Sequence, residues 1–359
     1  MLSNKISISY GVVFVAACVL AVKSKNLAWI LLPCVVNTVV EMLHWLTGYD
    51  AIPSSERTAF FYDISTFANR FLHTDDNYSD GYYPERNLCI PPDEATHNKF
   101  KEIWKRLGVR PGDIVLDVGS GTCLLAKFFE KMGAKVVGMT LSSGQVEYCR
   151  KNGFRAFKWD FAVENRDLYN KFDHIVFMGA SEHVAGGHHC RAGSYLAKRE
   201  RMAQVFRVLS RYLKRGGRLF HSSLHISPRT SCSLGHYLLQ RTYGGLLGLD
   251  APGYDAATSG VDAHLRVVSD SDETFGYYAA TVTNERHFGH SLRVHGVASI
   301  LMLLGSIACP PLFLMWLYYI FGAWMWMFDG RFHPFGKRDY GLTDDRPVSL
   351  KWTVFEKPV

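Results

Sequence analysis

The chain has 359 residues, 48% of them hydrophobic and 20% charged, which supplies enough apolar material for a large buried core. Its net charge of +7 is mild and forms no lysine or arginine run, so charge does not point to nucleic acid; it suits contact with an anionic membrane surface. The eight cysteines include no C-x-x-C pair, so neither a zinc site nor a disulfide framework is indicated, and reduced thiols in a cytosol-facing protein are expected.

In chain order, Ile6–Val22 is apolar, Lys23-Ser-Lys25 follows, and a second apolar run extends from Leu27 to about Leu46. Each run approaches the roughly 20 residues that a helix needs to cross a bilayer. No small-x-small cleavage site follows the first run, so residues 1–50 are expected to form a membrane anchor rather than a signal peptide. A spanning hairpin, a single span and an in-plane pair all fit this pattern. Residues 51–107 form a mixed, aromatic region that ends in a helix over Asp93–Leu107, with Phe100, Ile103, Trp104 and Leu107 at helical spacing.

From residue 108 to 293 the pattern changes to alternating strands and helices. Strands are expected at Ile114–Val118, Ala134–Met139, Arg155–Trp159, His174–Met178 and Arg218–Ser222. Helices are expected at Cys123–Met132, Ser143–Asn152 and Arg199–Leu213, the last ended by Gly216-Gly217. This alternation predicts an α/β fold with a parallel, doubly wound, Rossmann-like sheet. Residues 294–328 are apolar again, broken by Pro310-Pro311, and the segment after Trp316 is crowded with aromatics, as where a chain meets lipid. Residues 329–359 close the chain, with Ser349–Phe355 alternating as a strand expected at the sheet edge. No internal repeat is visible.

The strongest local signal is Val115-Leu-Asp117-Val-Gly119-Ser120-Gly121, a strand ending in a carboxylate and a Gly-x-Gly turn before a helix. Glycines there let the backbone turn sharply and approach a ligand closely. Thr140-Leu141-Ser142 and Gln145 follow the second strand, and Trp159-Asp160-Phe161 follows the third. A carboxylate beside an aromatic can accept from an adenine amino group while the ring packs on the base. Glu182-His183 follows the fourth strand, over the same C-terminal edge where open α/β folds bind ligands. His188-His189 with Cys190 lacks further ligands at regular spacing and reads as a solvated loop, so no metal site is expected.

Six motifs in order resemble the cyclopropane-fatty-acid synthase family of S-adenosylmethionine enzymes, from about Phe61 to Phe355. They are Phe61-Tyr62-Asp63 with Asn69, Phe71-Leu72 and Tyr78-Ser79; Val115–Gly121; Gly138–Gln145; Phe172-Asp173 through Glu182-His183-Val184; Tyr278-Ala-Ala-Thr281; and Trp316-Leu-Tyr318-Tyr319. Related members include sphingolipid C-methyltransferases and plant alkaloid N-methyltransferases.

The resemblance implies S-adenosylmethionine at Asp117, Gly119, Ser120, Gly121, Thr140, Leu141, Gln145, Asp160 and Phe161. It implies a substrate lid carrying Tyr62, Tyr78, Ser79 and Asp80. It also implies Glu182 and Tyr278 near the reacting atom, with His183 beside them, and a bound bicarbonate that removes a proton. Four residues, at three places, depart from the family. Asp80 stands where the lid motif has Cys. Ser222 aligns with the usual His after the fifth strand, with His221 adjacent. Thr122-Cys123 replaces Trp-Gly in the first loop.

The expected activity is methylation or cyclopropanation of an unsaturated acyl or sphingoid chain held in a membrane, with the catalytic domain facing the cytosol, as at the endoplasmic reticulum. N-methylation of an amine headgroup or small amine, and a non-catalytic membrane scaffold, are the alternatives. Substrate identity and oligomeric state are not legible.

Overall fold

The computed structural model describes residues 58–59, 62–63, 80–183, 194–226, 256–276, 279 and 348–359. The expected anchor, the apolar stretch 294–328, His188–Cys190, and Tyr78, Ser79 and Tyr278 lie outside the described residues. No helix among the described residues is long and apolar enough to cross a membrane.

The described elements run α1 (Pro92–Leu107), β1 (Ile114–Val118), α2 (Leu124–Lys131), β2 (Lys135–Thr140), α3 (Ser143–Lys151), β3 (Arg155–Lys158), β4 (Phe172–Met178), α4 (Ser194–Tyr212), β5 (Leu213–Ile226), α5 (Ala256–Asp262), β6 (Arg266–Asp272) and β7 (Val348–Glu356). Among the described residues they build one seven-stranded sheet in the order β3-β2-β1-β4-β5-β7-β6. Strands β1 to β5 pair in parallel, as the alternating pattern requires.

Three expectations are corrected. The sheet is mixed, because β7 runs antiparallel to both β5 and β6. β7 is also not an edge strand. Its residues Leu350, Trp352, Val354 and Phe355 are all buried, and β6 takes the edge. The edge strand β6 was missed because Arg-Val-Val-Ser-Asp-Ser-Asp has only two apolar residues. Its charged and polar side chains suit an exposed edge that resists pairing with other chains. The glycines expected to stop α4 instead lie within β5. There the register against β4 jumps from Phe172/Leu213 to His174/Arg218, and Gly216 takes φ +70° to accommodate the extra residues.

Side chains alternate across the sheet with period two, and this decides which residues can meet. Leu116, Val118, Ile175, Phe177 and Leu219 pack with Met202, Val205, Phe206 and Leu209 of α4. Val115, Val136, Val176, Phe220, Trp352 and Val354 pack on the other face, with Phe100, Ile103 and Leu107 of α1 and Leu125, Ala126 and Phe129 of α2. α1 is further fixed at its C-terminal end. Arg106 bonds Glu102, Ser271 and Glu273, and its guanidinium lies 5.0 Å from the centroid of the Trp352 ring.

Candidate functional site

The site is built on the C-terminal ends of β1, β2 and β4. After Asp117 and Val118, the chain turns through Gly119 (φ +77°), and the Gly119 and Ser120 N–H groups both donate to Met139 O of β2. A side chain at Gly119 would strike Ala180 at 2.6 Å, whereas a Cβ at Gly121 (φ +52°) would meet nothing within 4 Å. The loop is therefore close-packed beneath and open at Gly121. Ser120 Oγ is buried and has no hydrogen-bond partner among the described residues. Glycine at these positions, an open approach and an unused hydroxyl fit the backbone cradle of a nucleoside-bearing cofactor.

The second strand end is organised by hydrogen bonds. Thr140 Oγ1 donates to Gln145 Oε1 at 2.7 Å, and Ser142 N donates to Thr140 Oγ1 at 3.3 Å. Ser142 caps α3 by accepting from Gln145 N at 3.0 Å. Asp63 completes the cap, accepting from the Ser142 hydroxyl and from Gly144 N. A carboxylate at a helix N-terminus is favoured by the orphan amides and the helix dipole. Leu141, between Thr140 and Ser142 in sequence, is half-buried. After β3, Trp159 Nε1 donates to Val163 O and Asp160 Oδ1 accepts from Ala162 N. Phe161, expected to lie against a base, turns into the core instead, edge-on to Phe177 at 5.0 Å.

Cys123 and Cys149 are joined by a disulfide, against the expectation of reduced thiols; Cys89 is exposed and unbridged. The bridge ties the loop before α2 to α3. It also keeps the first loop clear, because the Cys123 sulfur is directed to Cys149 rather than toward the open side of Gly121.

The fourth strand end carries the acid. Glu182 is only 2% exposed. Its Oε1 accepts from Leu224 N at 2.8 Å, and burial, with the nearby Asp80 charge adding, pushes its pKa up to about 7. His183 Nε2 lies 2.8 Å from Tyr62 OH, which brings the lid motif onto the strand-end motif. His221 goes elsewhere. It shares the Leu219 face of β5, and its ring packs against Phe177 and Phe206, so it belongs to the α4-side core. Ser222, one residue on, pairs with Met178 in the β4 register and takes the opposite face.

Part of the site was not anticipated. Lys99 of α1 is fully buried, and its Nζ lies 3.0 Å from Asp80 Oδ1. Desolvation lowers its pKa, opposed by Asp80 and Asp117. Burial pushes Asp117 up to about 7, with Lys99 opposing. Lys99, Ile103 and Leu107 share one stripe of α1 at four-residue spacing; a lysine inside an apolar stripe was the available signal. Leu224 N and the Cys123–Cys149 pair were likewise not foreseen.

Among the described residues the donor set does not suit bicarbonate. The departing residues present acceptors where an anion needs donors: Asp80 brings a carboxylate, and Lys99 is already engaged with it. His221 lies in the core.

Fold and strand-end site together define a Rossmann-like methyltransferase. The family model for mycolic acid cyclopropane synthetase matches residues 50–241. The chain belongs to that family, whose members are S-adenosylmethionine-dependent methyltransferases. It is 34% identical over 145 residues to a probable fatty acid methyltransferase of Pseudomonas putida, covering 38% of this chain and 36% of the relative. It is 31% identical over 128 residues to the cyclopropane-fatty-acyl-phospholipid synthase of Escherichia coli, covering 34% and 32%. These matches span about a third of the length of each relative. A cyclopropane synthase structure from Mycobacterium tuberculosis superposes with a TM-score of 0.54 at 16% identity, covering 86% of this chain and all of that one, and shares the fold. No group of residues able to hold a metal occurs among the described residues.

Proposed function

We propose that the chain transfers a methyl group from S-adenosylmethionine to an unsaturated acyl or sphingoid chain of a membrane lipid, giving a methyl branch or a ring. The observation that carries this reading is Glu182, buried at the C-terminal end of β4 beside the glycine loop of β1. S-adenosylmethionine, when bound, supplies an electrophilic methyl group on sulfur. Asp117, the Gly119–Gly121 backbone, Ser120, Thr140, Leu141, Gln145 and Asp160 are the residues proposed to hold it.

An alkene is a weak nucleophile, and positive charge develops on its carbon as it is methylated. A carboxyl group in a water-poor site stabilises that charge far better than it would in water. Tyr62, bonded to His183, closes the lid side and helps exclude water. The lipid relatives in Pseudomonas putida and Escherichia coli support the substrate class by analogy. Tyr278 is proposed beside the reacting carbon on the strength of its motif. We place the enzyme on a membrane, because the apolar runs at 6–22 and 27–46 precede the domain in sequence and a third, at 294–328, interrupts it before β7.

A second reading keeps the cofactor site and changes the acceptor to an amine headgroup. Above a pH of about 7, where Glu182 ionises, its charge beside the Asp80–Lys99 pair favours an ammonium guest. Mass spectrometry of lipids from cells with and without the gene, fed methyl-labelled methionine, separates the two. Label on a chain fragment is the expected result. Label confined to a headgroup fragment replaces the first reading with the second.

A further inference from the structure

The Asp80 carboxylate is held by one oxygen and idle at the other. Lys99 Nζ lies 3.0 Å from Oδ1, while Oδ2 is buried and has no hydrogen-bond partner among the described residues. A desolvated carboxylate oxygen with no donor is a costly arrangement unless it serves a transient partner. Its surroundings point the same way. The neighbouring carboxyl, Glu182, is engaged through Leu224 N. Asp117 lies on the α1 face of the sheet, near enough to Lys99 for each to alter the other's ionisation. Lys99 thus holds the Asp80 carboxyl in place beside Glu182.

We propose that Asp80 is the proton acceptor of the reaction, a resident carboxylate in place of a bound bicarbonate, with Lys99 as its positioning residue. This assignment rests on the alkene reading of the substrate. The alkene π pair forms a bond to the incoming methyl carbon, and the carbon–sulfur pair stays on sulfur as a neutral thioether. The adjacent chain carbon is left with the positive charge. Asp80 Oδ2 then takes a proton, either from the transferred methyl group or from a neighbouring carbon. The electrons of that C–H bond close a three-membered ring in the first case and a new double bond in the second. The protonated Asp80 afterwards releases its proton to water. Two carboxyls in different surroundings suit two roles: Glu182, raised by burial, beside the developing charge, and the lysine-paired Asp80 as base.

The test uses the full chain with vesicles of a phospholipid carrying cis-monounsaturated chains. Asp80→Asn and Asp80→Ala are expected to lose turnover by about 10²-fold or more, the usual scale for removing a general base. Their calorimetric affinity for S-adenosylmethionine should stay within about threefold of the wild type, since the loss falls on the chemical step. Formate should restore part of the turnover of Asp80→Ala, which a purely structural role would not allow. Wild-type turnover should be unchanged in buffer depleted of carbon dioxide.

A variant that keeps more than about a tenth of wild-type turnover contradicts the assignment. So does wild-type activity that requires added bicarbonate. That wild-type measurement decides even if both variants fail to fold. Absence of any chain-methylated product from the wild type itself marks a different failure, that of the alkene reading, and the assignment goes with it.

Discussion

Glu182 and Asp117 both hold protons in the folded chain that they would release on unfolding. Their carboxyls are raised to about 7, from 4.5 and 3.8 respectively. Between those limits the native state binds more protons than the unfolded one, so stability falls as pH rises. The contribution is fully present below the unfolded values and is lost as pH passes through about 7. A tenfold gain in proton affinity on folding corresponds to about 1.4 kcal/mol, so the effect amounts to a few kcal/mol. The cofactor-free protein is therefore expected to melt several degrees higher at pH 5.5 than at pH 8, and Glu182→Gln to flatten that slope. A flat wild-type profile would show that these carboxyls are already ionised in the folded chain. Glu182→Gln should also lose about 10²-fold in turnover while keeping its affinity for S-adenosylmethionine. Retained turnover would remove Glu182 from the mechanism. Glu182 was legible because a carboxylate after an apolar strand stands out in sequence. Lys99 was not, because its importance depends on Asp80 arriving from a separate segment. His221 could not be placed from sequence, since either face of β5 was open to it until the register against Phe177 was known.

At the scale of elements, the Gly-x-Gly loop is secured from two sides. Asp63 and Ser142 cap α3, and the Cys123–Cys149 bridge pins α3 to the loop. The bridge closes 26 residues of chain, for which loop-closure entropy gives a stabilisation of about 3 kcal/mol. Reductant should lower the melting temperature by several degrees. Cys149→Ser should start lower and be indifferent to reductant. A wild-type melting curve that does not change with reductant would mean the two sulfurs are not bridged in solution. The capping pattern was readable from Ser142 and Gln145, which are only three residues apart in sequence. The disulfide was not, because the two cysteines meet only after β1-α2-β2-α3 has folded. Spacing rules such as C-x-x-C recognise local pairs alone. β6 escaped for a related reason: an edge strand needs few apolar residues, so it leaves little periodic signal.

For the whole molecule, the parallel half of the sheet followed from alternating strands and helices, since each βαβ crossover leaves its strands parallel. The insertion of β7 between β5 and β6 did not follow, because a strand from the C-terminal end of the sequence carries no local mark of its neighbours. The proposed membrane association is also a property of the whole chain, and two forces could produce it. One is attraction of the +7 net charge to anionic lipid; the other is insertion of the apolar runs. Salt separates them, because screening shortens to about 3 Å at 1 M and abolishes long-range attraction, whereas burial of apolar surface persists or strengthens. The full chain is expected to sediment with cell membranes and to stay there through a 1 M salt wash, leaving only in detergent. Release by salt would assign the association to charge. A chain found wholly in the supernatant before the wash would remove the membrane from the proposal, and the lipid would then have to reach Glu182 by way of a carrier.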